Sequence, residues 1–213
     1  MDPKDIVRTG YDRLSTDYRQ HFTTLHDERY DSWLTTFSKH LTPGDKVLEL
    51  GCGDGIPLAL KLAEVFDYTG IDLSEVQIAN ATLTVSNGKI LGGDMTQLCF
   101  PAQSFSGIVA LYSIIHIPLD EQRPLIARMF EWLRVGGALM VVVGAGRWTG
   151  IDRNWIKPDT VMFWSHANGD DYAEWFAAAG FLPLERYFVP EGNAGHTFMM
   201  LTKPNQSAPQ PSP

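Results

Sequence analysis

The chain has 213 residues, 44 % of them hydrophobic, and a formal net charge of −8; this suits one domain with a full core, and the longest apolar stretches are far too short to span a bilayer. A surface of this sign repels phosphate backbones, so the expected partner is a small molecule and neither nucleic acid nor membrane. Only two cysteines are present, Cys52 and Cys99, so no disulfide framework is expected, and the N-terminal MDPKDIVRTGYDR lacks the apolar core of a signal peptide; a cytoplasmic protein is the simplest reading.

Residues 1–45 read as helical. In DERYDSWLTTFSKHL, the residues Tyr30, Trp33, Leu34, Phe37 and Leu41 recur at spacings of three and four and form one apolar face. Thr42, Pro43, Gly44 and Asp45 then break it. From Lys46 the pattern alternates. KVLELG is a short buried strand running into glycines, and GIPLALKLAEVF is a helix with Pro57 suited to its first turn. DYTGID is a second strand, after which Ser74 and Gln77 have the spacing of a capping box. KILGGD and GIVALYS are the third and fourth strands. A helix from Asp120 to Val135 turns Leu125, Ile126, Met129, Phe130 and Leu133 inward and is ended by Gly136 and Gly137; ALMVVVG is the fifth strand. Residues 145–168 interrupt the rhythm as an insertion carrying Trp148, Trp155, Phe163, Trp164 and His166 among loop formers. A helix from about Asp170 to Ala179 and two strands, PLERYFV and HTFMMLT, joined by PEGNAG, complete a single domain over 1–203. The tail from Pro204, rich in proline and serine, is expected to be disordered. The alternation implies an α/β fold with a parallel sheet covered on both faces.

The central motif is VLELGCGDG at 47–55. Its glycines follow a strand end and let backbone approach a nucleotide-like ligand. A dinucleotide fingerprint needs a small residue where Ile56 stands, so the turn suits a ligand without a pyrophosphate. Asp72, at the end of the second strand, can accept from both hydroxyls of a ribose, and Ser74 serves as the helix cap, leaving Asp72 free. Asp94 ends the third strand and can accept from an adenine amino group, with Met95 and Leu73 flanking the ring. His116, after the fourth strand, is the first candidate for base or acceptor-positioning group; His166 and His196 are two more. Cys52 is read as a filler of the glycine turn and Cys99 as core.

The G-x-G-x-G turn with Glu49 two residues before it, Asp72, GGDMTQL, FSGIVALYSIIHIP and LRVGGALMVVVG resemble, in order and spacing over 46–144, the motifs of class I S-adenosylmethionine-dependent methyltransferases. Ser106 stands where many members carry aspartate. GYDRLSTDY also resembles a segment of the small-molecule branch, which includes the ubiquinone and menaquinone methyltransferases, with Ser15 in place of an alanine. The resemblance implies a doubly wound, Rossmann-like sheet of about seven strands in the order 3-2-1-4-5-7-6 with the last antiparallel, N-terminal helices and an insertion after strand 5. It implies S-adenosylmethionine as cofactor and no metal. Tyr18, Glu49, Gly51, Gly53, Asp72, Leu73, Asp94, Met95, Leu111 and Tyr112 are then the expected cofactor contacts, Tyr18 near the methionyl end and Leu111 through its backbone. The expected reaction is methyl transfer to a small, apolar or aromatic acceptor, with oxygen favoured over nitrogen, carbon or sulfur. A non-catalytic cofactor-binding protein and a nicotinamide oxidoreductase are the alternatives, and the oligomeric state is left open.

Overall fold

The computed structural model describes residues 2–14 and 16–205, except for the side chains of residue 16 and residues 19–27. Ser15 and the tail from 206 onward lie outside the described residues. Two helices open the chain, α1 (Pro3–Leu14) and α2 (Thr16–Ser38). Then follow β1 (Lys46–Leu50), α3 (Leu58–Val65), β2 (Asp67–Asp72), α4 (Glu75–Thr84), β3 (Lys89–Gly92), β4 (Phe105–Leu111), α5 (Leu119–Trp132) and β5 (Leu133–Gly144). The chain continues through β6 (Trp148–Asp152), β7 (Met162–His166), α6 (Gly169–Ala179), β8 (Leu182–Glu191) and β9 (Ala194–Thr202).

Seven strands form one sheet in the order β3-β2-β1-β4-β5-β9-β8. The first five are parallel and β9 runs antiparallel between β5 and β8. This is the expected order, with β8 and β9 as the sixth and seventh strands. The central strands are continuous apolar runs because both faces are covered; every residue of β4 is buried. The pleat splits their side chains between two cores. Leu48, Ile108 and Leu139 point toward α5 and α6, against Leu125, Met129 and Phe176. Val47, Val109 and Met140 point the other way, against Leu62 of α3 and Trp33 and Phe37 of α2. No helix among the described residues is long and apolar enough to cross a membrane.

Several local expectations need correction. Helix α5 stops at Trp132, not Val135. The Lys203 ammonium donates to the carbonyls of Phe130 and Leu133 at 2.6 and 2.9 Å and closes the helix there, while Leu133 already pairs with Phe105 as strand. The insertion is an antiparallel ribbon, with β6 and β7 paired from Trp148–His166 to Asp152–Met162. Strands β8 and β9 extend until only residues 192 and 193 join them. Cys99 is exposed, not core.

The ribbon and α1 pack on each other rather than on the sheet: Ile6 and Val7 of α1 and Met162 and Phe163 of β7 form a separate buried cluster, with Tyr11, Trp155 and Trp164 beside it. Together they stand over the carboxyl ends of the strands.

Candidate active site

Open α/β sheets bind ligands at the carboxyl ends of their strands, where the order reverses direction. In this sheet the reversal falls between β1 and β4. There Ser113 donates its hydroxyl to the Leu50 carbonyl at 2.6 Å and packs against Gly51. A Cβ on Gly51 would strike that serine, and its φ of +84° is left-handed. Gly53 also has a positive φ, but a Cβ there would meet nothing within 4 Å, so its backbone borders open space. That space is a cavity of about 480 Å³.

All ten residues expected at the cofactor line this cavity, as does His116. Glu49, Asp72 and Asp94 come from the ends of three successive strands, brought to one edge by the parallel register: Leu50 lies opposite Ile71, and Asp72 opposite Gly92. Their environments differ. Glu49 is buried and accepts the Tyr68 hydroxyl at 2.6 Å; burial outweighs that bond and lifts its carboxyl to about 7. Asp72 is raised as well, by burial, against the pull of backbone N–H donors. It is not free, as the capping argument supposed. Ser74 does cap α4 by accepting from the Gln77 N–H, but Asp72 accepts the N–H of Gly53 at 2.8 Å and of Ser74 at 2.9 Å. Two backbone donors leave part of a carboxylate's capacity for a ligand.

Asp94 has a partner that the motifs did not reveal. The Lys4 ammonium lies 2.7 Å from its Oδ2 and also reaches Thr96 and Glu121. Burial disfavours the Asp94 charge, yet these bonds hold its carboxyl below the usual range. Helix α1 is thus tied across the cleft. Asp12 adds a second tie by accepting the Ser74 hydroxyl at 2.6 Å.

The third tie is Tyr11, whose hydroxyl lies 3.0 Å from Nε2 of His116. The proton positions follow from the partners. His116 Nδ1 sits 2.8 Å from the Phe163 carbonyl, which can only accept, so Nδ1 carries the hydrogen. Burial depresses the imidazole to about 4 and keeps it neutral near pH 7. Nε2 is therefore bare and accepts from Tyr11. Both ring nitrogens are engaged, and the ring is wedged against Trp164 at 4.3 Å between centroids. Tyr18 meets Tyr11 edge-on at 5.5 Å and tilts against Trp155.

The other two histidines are not in the cavity wall. His166 donates from Nδ1 to the Gly146 carbonyl and lines a separate depression with Trp148 and Trp175. His196 stands behind the wall: its Nδ1 lies 3.1 Å from Glu191, which accepts the Tyr112 hydroxyl at 2.6 Å. Tyr112 holds a φ of +56°, uncommon for a side chain of this size and the kind of local strain found at functional sites. Lys4 and Arg8, which sequence reasoning missed, line the cavity beside Tyr11, which with Asp12 belongs to the GYDRLSTDY segment singled out by resemblance but was not named as a site residue. The three- and four-residue spacing of Lys4, Arg8 and Tyr11 along α1 is the signal that could have found the first two.

The donor set fits S-adenosylmethionine. Carboxylates at three strand ends suit a cationic ligand bearing a ribose diol, and the Gly53 backbone leaves room for it. A pyrophosphate fits poorly, because the Gly53 N–H that would cradle it is taken by Asp72.

Residues 47–137 match the family model described as a methyltransferase domain. The chain is 34 % identical over 104 residues to the sterol 24-C-methyltransferase of Neurospora crassa, covering 45 % of this chain and 27 % of that one. It is 33 % identical over 107 residues to the 27-O-demethylrifamycin SV methyltransferase of Amycolatopsis mediterranei, covering 46 % and 38 %. The matches thus span about a quarter to two-fifths of these relatives. Among solved structures, the Burkholderia thailandensis 1,6-didemethyltoxoflavin-N1-methyltransferase, with bound 1,6-didemethyltoxoflavin and S-adenosylhomocysteine, superposes with a TM-score of 0.70 at 21 % identity, over 94 % of this chain and 88 % of that one. Residues 47–137, which hold the glycine turn, Asp72 and Asp94, are thus similar to a methyltransferase domain, and the whole chain shares the fold of the superposed structure.

Proposed function

We propose that the protein transfers a methyl group from S-adenosylmethionine to a small-molecule acceptor, preferring oxygen, within the branch that includes the ubiquinone and menaquinone enzymes. The observation that carries this reading is the convergence of Glu49, Asp72 and Asp94 on one cavity whose opposite side is closed by α1 and bordered by His116. A cavity of about 480 Å³ under such a cover suits a small acceptor better than a macromolecule. The relative named for a demethylrifamycin substrate is consistent with it.

When bound, S-adenosylmethionine supplies an already activated methyl on a sulfonium. The chain then has to hold the acceptor close and aligned and to exclude water. Glu49, Asp72 and Asp94 would hold the cofactor, with Leu73 and Met95 toward its base and Tyr18, Leu111 and Tyr112 toward its reacting end; all of them line the cavity. Tyr11 is the residue that meets the acceptor, and His116, with both nitrogens engaged, positions Tyr11. The acceptor heteroatom sheds its proton as it gains the methyl; Tyr11 takes that proton while its own passes to Nε2 of His116. His166 and His196, set outside the cavity wall, are given no part in transfer.

The test is release of S-adenosylhomocysteine from S-adenosylmethionine with a panel of phenols, alcohols and amines. Acceptor-dependent release supports the reading; cofactor binding without release on any acceptor would leave a binding protein instead.

A further inference from the structure

We propose that Asp31 and Lys61 form the subsite for the α-amino-acid end of the cofactor, the Lys61 ammonium taking its carboxylate and the Asp31 carboxylate its ammonium. This rests on the methyltransferase reading and assigns two side chains to a part of the ligand that the strand-end carboxylates leave unmatched.

S-Adenosylmethionine is charged in more than one place. Beyond the sulfonium it ends in a free α-amino acid, a carboxylate and an ammonium on one carbon. Glu49, Asp72 and Asp94 suit the sulfonium and the ribose diol but oppose that carboxylate. The strand order says where it falls. With the base at Asp94 of β3 and the ribose at Asp72 of β2, the order β3-β2-β1-β4 carries the other end of the ligand past β1. There the cavity is lined by Ile56, Pro57 and Leu58, which lead into α3, and by Tyr30 and Asp31 of α2. Lys61 joins them from the first turn of α3, where its backbone N–H donates to the Pro57 carbonyl.

The charges are placed to match. Three cations stand among the described residues of the cavity wall: Lys4, Arg8 and Lys61. Lys4 and Arg8 belong to α1 and serve the base and ribose end; Lys4 reaches Asp94, and Arg8 pairs with Asp12, which accepts the Ser74 hydroxyl after β2. Lys61 serves the opposite end, paired there with Asp31. Their side chains are 36 % and 56 % exposed, so the pair is worth little by itself and exchanges partners at little cost. An α-amino acid offers each of them a group of opposite sign. Two facing charges then become a ring of four in which every neighbour is opposite.

The test is isothermal titration of the full chain with two ligands: S-adenosylhomocysteine, which carries the amino-acid end, and 5′-methylthioadenosine, the same thionucleoside without it. Wild type should bind the first at least about tenfold more tightly. Lys61→Met and Asp31→Asn should each weaken S-adenosylhomocysteine by about fivefold and leave 5′-methylthioadenosine within about twofold. The double variant Asp31→Lys with Lys61→Asp keeps an ion pair between the two helices but reverses its sense, and S-adenosylhomocysteine should stay weak. Equal affinity of wild type for both ligands, unchanged S-adenosylhomocysteine affinity in both single variants, or full recovery in the double variant would overturn the proposal while leaving the nucleoside site in place. If neither ligand binds, the methyltransferase reading falls and this proposal with it.

Discussion

The Lys4 ammonium lies 2.7 Å from Oδ2 of Asp94, 90 positions further along the chain, and so fastens the first helix to the end of the third strand. The pair is partly exposed, so its worth is modest, about 1 kcal/mol or less. Lys4→Met should speed dissociation of S-adenosylhomocysteine by roughly fivefold, the factor that corresponds to 1 kcal/mol. Stopped-flow displacement checks it; an unchanged rate would mean that α1 does not retain the cofactor.

Glu49 carries a pH signature. Burial raises its carboxyl to about 7, so below that pH it is protonated in the free protein. A cationic ligand favours the ionised form, and binding must then expel the proton. Calorimetry of S-adenosylmethionine binding in buffers of different ionisation enthalpy should show release of about one proton near pH 6, falling toward zero well above pH 7. Enthalpies that do not depend on the buffer at pH 6 would place Glu49 away from the ligand's charge.

Lys203 secures the end of α5. Its ammonium closes α5 through two carbonyls and lies over the Phe130 ring at 4.5 Å. A chain ending after Lys203 should melt like the full chain, whereas Lys203→Met should lower the melting temperature by about 2–8 °C, the equivalent of roughly 1–2 kcal/mol. A large drop in the truncated chain would contradict the boundary.

How much of this was legible beforehand depended on distance along the chain. The strands and the position of Glu49, Asp72 and Asp94 at their ends followed from local signals, apolar runs closing on glycine or aspartate and alternating with helical spacing, whereas the strand order came from the resemblance those motifs carry. Lys4 on Asp94 did not, because nothing near position 4 signals a carboxylate 90 residues away. The end of α5 was misplaced for the same reason: Gly136 looked like a helix cap, while the cap is Lys203, about 70 residues later. The ribbon at 148–166 escaped notice because its stabilisation comes from cross-strand pairing and from α1, neither visible in its own composition. The histidines were alike as letters; only the fold sets His116 against the cavity and leaves His166 and His196 outside its wall.

Tyr11 and His116 should act as a unit. Tyr11→Phe and His116→Ala are each expected to lower turnover by about 10²-fold, the usual scale of acid–base assistance, with near-normal affinity for S-adenosylhomocysteine. The double variant should be scarcely worse than either single one, since each removes the same interaction. His166→Ala and His196→Ala should keep turnover within about threefold of wild type, too small a loss for an acid–base role. Full turnover in Tyr11→Phe would remove it from the reaction.

The central claim is that the cleft holds S-adenosylmethionine with Asp72 as a principal contact. Asp72 also secures the N–H groups of Gly53 and Ser74 through different oxygens, so Asp72→Asn removes the charge and keeps an acceptor for one of the two, while Asp72→Ala removes the charge and both acceptors. Isothermal titration of wild type and both variants with S-adenosylhomocysteine is the most direct measurement. The account predicts clear binding by wild type and at least about tenfold weaker binding by Asp72→Ala, from a loss of roughly 1–3 kcal/mol, with Asp72→Asn between the two. No binding by wild type, or equal affinity in all three folded proteins, would contradict it.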